Sequence, residues 1–222
     1  NELLDRLFSV FALRSDVTWQ VLTKRAERMW EYLENVPIDG QTLRWGSANH
    51  LDGLDVEFPL LNVWLGVSVE DQQRADERIP LLLQTPAAVR FLSCEPLLGP
   101  VDLSPWQKCN CPRDYPPPEG PHNRYCPAAK DSYLPRVSWV VIGGESGPHA
   151  RPCNMEWIRS IVRQCKRANV ACFTKQLGSK PMWIEEREWV EGPLSGSIAV
   201  VDRKGGDPDE WPMDLRVRQF PE

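Results

Sequence analysis

No stretch of the sequence approaches the roughly 18 consecutive apolar residues of a membrane-spanning helix, and no signal peptide is visible at its start. An excess of positive charge is also missing. The 222 residues include 26 Lys and Arg against 31 Asp and Glu, a formal net charge of −5. That balance argues against a non-specific nucleic-acid binder held by a basic surface, although it leaves room for a local basic patch on nucleic acid. The seven cysteines are too scattered for a secreted disulfide scaffold of this length, so a reducing, cytoplasmic setting is expected. There is no Walker loop and no dinucleotide-binding fingerprint. An initiator Met is absent as well. Leu3, Leu4, Leu7, Phe8 and Phe11 already recur at helical spacing, with Asn1 as a candidate N-cap. The chain therefore reads as a fragment or a processed product with something upstream.

What is present is a repeated juxtaposition. Five short, apolar, β-branched segments (18–22, 62–67, 89–92, 138–142 and 170–173) each run into a knot of polar residues. The knots are Thr23-Lys24-Arg25, Ser68-Val69-Glu70-Asp71, Ser93-Cys94-Glu95-Pro96, Gly143-Gly144-Glu145-Ser146-Gly147 and Thr174-Lys175-Gln176. Apolar runs of this length read as strands buried on both faces. Polar residues at their ends mark the place where α/β folds carry their chemistry. Helical patterns separate the segments: 25–35, a stretch after Asp71 that Pro80 is expected to interrupt, and 154–168 with Asn154 as N-cap. The expected fold is α/β, a partial TIM-like (β/α) barrel of parallel strands. An open doubly wound sheet is the alternative, because five units are visible and a full barrel has eight. Residues 1–180 form the barrel portion, 105–136 a Pro- and Cys-rich insertion, and 181–222 an extension packed on the barrel. An incomplete barrel leaves strand edges unpaired, so poor solubility of the isolated piece is also expected.

Candidate site residues lie in the knots. Gly143 and Gly144 permit a tight turn and close approach to a ligand, with Ser146 in the same loop. Glu145 is placed to accept from an amino group or to act as a base. Glu95 is placed to pair with Lys24, Arg25 or Lys175, and these cations are suited to a carboxylate or phosphate. Glu70 closes the second strand, and Asp71 is placed to cap the next helix. For each of these, a solvated rim charge or a structural ion pair is the competing reading. Cys94 has no His near it in sequence and reads as a buried, inert thiol. In the insertion, Cys109, Cys111, His122 and Cys126 have the ligand types of a structural zinc. A flexible loop with free thiols is the alternative there.

Several phrases carry a resemblance. They are Trp19-Gln20-Val21-Leu22-Thr23-Lys24-Arg25, the run 62–71, Glu95-Pro96-Leu97-Leu98-Gly99, the Gly143-Gly144-Glu145-Ser146-Gly147 loop, Lys175-Gln176, and the tail Lys204-Gly205-Gly206-Asp207 through Leu215-Arg216-Val217-Arg218. With these the chain resembles a phage-associated family of unknown function (domain of unknown function five-one-three-one, the gene-product thirty-seven or sixty-eight proteins). That family in turn resembles radical S-adenosylmethionine enzymes. The resemblance implies an S-adenosylmethionine cofactor and a 4Fe-4S cluster in the complete protein. The cluster cysteines would lie in an N-terminal segment missing here, since no C-x3-C-x2-C occurs. In that radical reading Glu70, Glu95, Glu145, Lys24 and Lys175 line the mouth of the barrel, with Glu145, Glu95 and Lys175 as candidate catalytic residues and Gly143, Gly144, Ser146, Lys24 and Glu70 as candidate cofactor contacts. Two further readings stay open: a non-radical barrel binding an anionic or phosphorylated ligand, and a non-catalytic scaffold with a zinc-clipped insertion. The substrate is not readable from the residues.

Overall fold

A computed structural model describes residues 2–34, 59–107, 137–185 and 194–221. The five expected strands are all present: β1 (Trp19–Thr23), β2 (Val63–Ser68), β3 (Val89–Cys94), β4 (Trp139–Gly143) and, after a two-residue β5 (Cys153–Asn154), β6 (Ala171–Gln176). The helices are α1 (Glu2–Leu13), α2 (Ala26–Glu34), α3 (Gln72–Gln84), the single turn α4 (Ser104–Gln107) and α5 (Met155–Ala168). Beyond β6 come β7 (Pro181–Glu185), β8 (Leu194–Ser197) and two 3-10 turns, Pro208–Glu210 and Met213–Leu215.

The main sheet has the order β1-β2-β3-β4-β6, and every pairing in it is parallel. Strands follow one another in space as in sequence. Right-handed crossovers without a reversal of order put the connecting helices on one face. The core confirms this. Leu65, Val67, Leu92, Cys94, Val140, Ile142 and Cys172 from the strands pack with Ala75, Ile79 and Leu82 of α3 and Ile158, Ile161 and Cys165 of α5. The architecture is thus α/β, with a five-stranded parallel sheet whose strands lie in sequential order. β5, β7 and β8 form a second, three-stranded sheet that the sequence pattern did not announce.

Two local expectations were tested directly. Asp71 and Asn154 cap α3 and α5 through side-chain oxygens that accept from Arg74 N and Glu156 N. Pro80, however, does not interrupt α3, which continues to Gln84. The carbonyl that loses its donor belongs to Asp76, on the exposed side of the helix. Ile79 and Leu82, both fully buried, hold the helix to the sheet on either side of the proline. Most of the 105–136 insertion lies outside the described residues.

The face opposite the helices is aromatic at its lower end. Trp139 packs near Trp64, Phe91, Phe173 and Phe220, with ring centroids 5.5–6.1 Å apart. Phe220 arrives from the C-terminal tail, which lies antiparallel beside β6. Thr174 N donates to Val217 O and Gln219 N to Cys172 O, both at 2.8 Å. The tail therefore covers the outer edge of β6. Arg218 stacks between Phe173 and Trp211 at 5.4 and 5.3 Å from the ring centroids.

Candidate functional site

The carboxyl ends of the parallel strands are tied together by the loop after β3. Leu97 N donates to Gly143 O (2.9 Å) and Leu98 N to Glu70 O (2.8 Å). Val69 N donates to Ser93 O (2.8 Å). These three bonds draw the ends of β2, β3 and β4 into one surface. Because alternate residues of a strand share a face, Ser68, Ser93, Glu95 and Lys175 project on the side away from the helices.

Three ion pairs organise this surface. Lys175 Nζ donates to Glu95 Oε2 at 3.0 Å, joining the ends of β3 and β6 across β4. Beneath that pair lies Gly143. A Cβ on it would sit 3.2 Å from the Glu95 carboxyl carbon and from Oε1, so any side chain at 143 would push the carboxylate away. Glu70, 7% exposed, is held from two sides. Arg78 of α3 donates to its Oε2 at 2.9 Å and to Ser68 O at 2.8 Å. Lys24 Nζ lies 2.5 Å from Oε1. Burial pushes the Glu70 carboxyl up, but Lys24 and Arg78 outweigh it and its pKa ends below the ordinary value.

Glu145 is placed differently. Its carboxylate is forked by Arg151, with Nε to Oε2 at 2.7 Å and the terminal nitrogen to Oε1 at 2.9 Å, and it also accepts from Arg151 N at 2.8 Å. The Arg151 guanidinium and backbone N–H hold its pKa down at about 2. Glu145 is therefore a fixed carboxylate that shapes its own loop. Gly144 does not face a ligand space, because a Cβ there would lie 2.1 Å from Leu177 O. The absent side chain lets the backbone after β6 pack against the β4 loop, where Gly144 N donates to Gln176 O and Ser179 N to Glu145 O. Ser146 is exposed. Of the residues singled out in the sequence, the fold brings together Lys24 with Glu70 and Glu95 with Lys175 and Gly143. Glu145, Gly144 and Ser146 form a separate, neighbouring loop. Arg25 is exposed and has no ion-pair partner among the described residues.

Arg78 and the two serines were not anticipated. A signal for the serines was available: Ser68-Val69-Glu70 and Ser93-Cys94-Glu95 are the same Ser-x-Glu pattern, and Ser68 and Ser93 are register partners. Arg78 carried no such signal, since it comes from the middle of a helix.

The described cysteines lie in the hydrophobic core. Cys94, Cys153, Cys165 and Cys172 are all buried free thiols. Burial pushes Cys153 up to about 12 and Cys94 higher still. A hydrogen bond with Cys165, and then burial, do the same to Cys172. Among the described residues no group of three or more Cys, His, Asp or Glu is placed to hold a metal ion. Cys109, Cys111, His122 and Cys126 lie outside the described residues.

The family model described as "Protein of unknown function (DUF5131)" matches residues 1–200. The chain belongs to this family. No curated protein and no solved structure matches it. The phrases quoted from the sequence thus named the right family. In this DUF5131 protein the matched span includes every residue of the three ion pairs, while the tail strand beside β6 lies beyond it. Among the described residues no helix is long and apolar enough to cross a membrane.

Proposed function

We propose that this DUF5131 chain forms the ligand-facing part of a radical-type, S-adenosylmethionine-dependent enzyme, acting on a substrate held at the carboxyl ends of β2, β3, β4 and β6. The observation that carries the reading is the Glu95–Lys175 pair over Gly143. The methionine end of the cofactor has one ammonium and one carboxylate. Glu95 would receive the ammonium and Lys175 the carboxylate, so one internal ion pair is exchanged for two charge-assisted contacts to the ligand. A simple anion fits less well, because it would have to draw Lys24 and Lys175 away from Glu70 and Glu95. When bound, and given one electron from a reduced 4Fe-4S cluster held outside the described residues, the cofactor would supply radical initiation.

The described residues fit the amino-acid end of the cofactor and do not fit a 4Fe-4S cluster, which takes thiolate ligands. Cys94, Cys153 and Cys172 are buried thiols with raised pKa values. The chain's own contribution is to bind and orient. Glu95 and Lys175 hold the ligand's charged end. Glu145 and Arg151 set the loop beside it, and a carboxyl titrating at about 2 is a poor proton acceptor near neutrality.

Calorimetric titration of the chain with S-adenosylmethionine and with S-adenosylhomocysteine tests this reading. Both are expected to bind, and Lys175→Met and Glu95→Gln are each expected to weaken them about tenfold or more, the worth of one charge-assisted hydrogen bond. Undiminished affinity in both variants would sink the assignment. Tight phosphate binding that depends on Lys24 and Lys175, with no nucleoside bound, would establish the anion reading instead. Binding of neither leaves the surface without a small-molecule role.

A further inference from the structure

Lys24 turns to Glu70, but its neighbour Arg25 takes no part in the ion pairs at the strand ends. It stands instead beside a cavity of about 290 Å³ between α1, β1 and α2, just under the roughly 300–1,000 Å³ of small-molecule sites. The apolar walls are Leu4 and Phe8 of α1, Val21 and Leu22 of β1, and Met29 and Leu33 of α2. The rings of Phe8, Phe11 and Trp19 pack in series toward the amino end of β1, with centroids 5.3 and 4.8 Å apart. The part of β1 that lines the cavity is 21–23, so the cavity lies at the strand's carboxyl end. Four lining residues are polar. Thr23 Oγ1 accepts from Arg25 N at 2.9 Å, and the Tyr32 hydroxyl donates to Asp5 Oδ1 at 2.8 Å. Arg25 and Arg28 are exposed, and neither guanidinium has a hydrogen-bond or ion-pair partner among the described residues. Met29 N donates to Arg25 O at 3.1 Å, so Arg25 belongs to the first turn of α2. Arg28 follows three residues on, the spacing at which helix side chains are neighbours and like charges repel. The lining therefore carries two positive charges and no negative one.

We propose that this cavity binds a small monocarboxylate with an apolar body. The carboxylate lies between Arg25 and Arg28 at the exposed mouth, and the body lies among Leu4, Phe8, Met29 and Leu33. Guanidiniums hold carboxylates through paired, charge-assisted hydrogen bonds, and an anion between two unpartnered cations removes their repulsion. Apolar walls favour an apolar occupant over water. At about 30 Å³ for each water-sized group, the cavity holds about ten such groups. That is the size of a medium-chain fatty acid or an arylacetate. A cation meets two like charges here, and a neutral molecule leaves both guanidiniums as they are. The site is separate from the Glu95–Lys175 pair and stands whether or not a cofactor binds there.

The test is calorimetric titration of the whole chain with octanoate, phenylacetate, octanol and octylamine, with sedimentation analysis of the same samples. At least one of the two carboxylates is expected to bind, one molecule per chain, and comparison of the two tells a chain from a ring. Octanol should bind about tenfold more weakly than octanoate, and octylamine more weakly still. Arg25→Met and Arg28→Met should each weaken the bound carboxylate about tenfold and leave octanol within about twofold. Both side chains are exposed, so these variants leave the fold intact. Val21→Phe, which fills the cavity, should remove carboxylate and alcohol binding together, with the thermal midpoint reporting that the chain remains folded. The proposal is overturned if neither carboxylate binds, if octanol or octylamine binds as well as octanoate, or if both arginine variants bind the carboxylate undiminished. A dimer that neither carboxylate dissociates and that Leu22→Lys breaks would also overturn it, giving the cavity to a second copy of the chain.

Discussion

Glu145 and Glu95 look alike in sequence, each following a strand and preceding a turn, yet their surroundings give them different roles. Glu145 is closed on Arg151 by two side-chain bonds and one backbone bond, and its pKa is held down at about 2. Glu95 faces a lysine across the mouth of the sheet with Gly143 beneath it. The sign of the Glu145 shift makes a prediction. A carboxyl depressed in the fold favours the folded state above its unfolded pKa, and that contribution is lost as pH falls from there through about 2. Carbon-13 NMR should therefore find Glu145 titrating near 2, and Arg151→Met should return it toward the ordinary carboxylate range. An unchanged midpoint in that variant would show that the fork is absent in solution. The glycines of the same loop were legible as a tight turn, but not what they make room for, since Leu177 is more than thirty residues away in sequence.

The strands and helices were legible because each carries its own local signal. Segment 89–92 is apolar and β-branched, and Asp71 and Asn154 stand where N-caps stand, so β3, α5 and the start of α3 could be placed within two residues. Pro80 shows where local reasoning stops. Its intrinsic cost in a helix is real, but burial of Ile79 and Leu82 on either side outweighs it. The tail strand shows the complementary failure. Residues 217–219 have no strand pattern and become strand-like only because β6 offers free backbone groups. The close approach at Gly144 belongs to this scale too. Gly144→Ala would set a Cβ 2.1 Å from Leu177 O, and separating the β4 and β6 loops should cost about 1–3 kcal/mol. Thermal unfolding should then fall by several degrees. An unshifted midpoint would mean that the two loops part freely.

Across its described residues the whole molecule is a five-stranded parallel sheet with helices on one face, an aromatic floor on the other and paired charges at the strands' carboxyl ends. Its tail lies beyond the residues that the family model matches, yet Trp211 and Leu215 are 2% and 0% exposed and Arg218 stacks on Phe173. Trp211→Ala should therefore cost about 3–5 kcal/mol in urea unfolding, a large part of the stability of an ordinary domain. A midpoint within error of the parent would make the tail an appendage. The sequence by itself determined the α/β class, the parallel sense of the strands, the helix caps and the family, because periodicity, capping and crossover handedness act over a few residues or follow from the alternation of strand and helix. Only the tertiary structure decided which charges meet. It paired Lys24 and Arg78 with Glu70 and Lys175 with Glu95, closed Glu145 on Arg151, and filled the space beside Gly144 with backbone. Those outcomes depend on where distant strand ends and loops come to rest in space, and nothing local to any one of these residues encodes it.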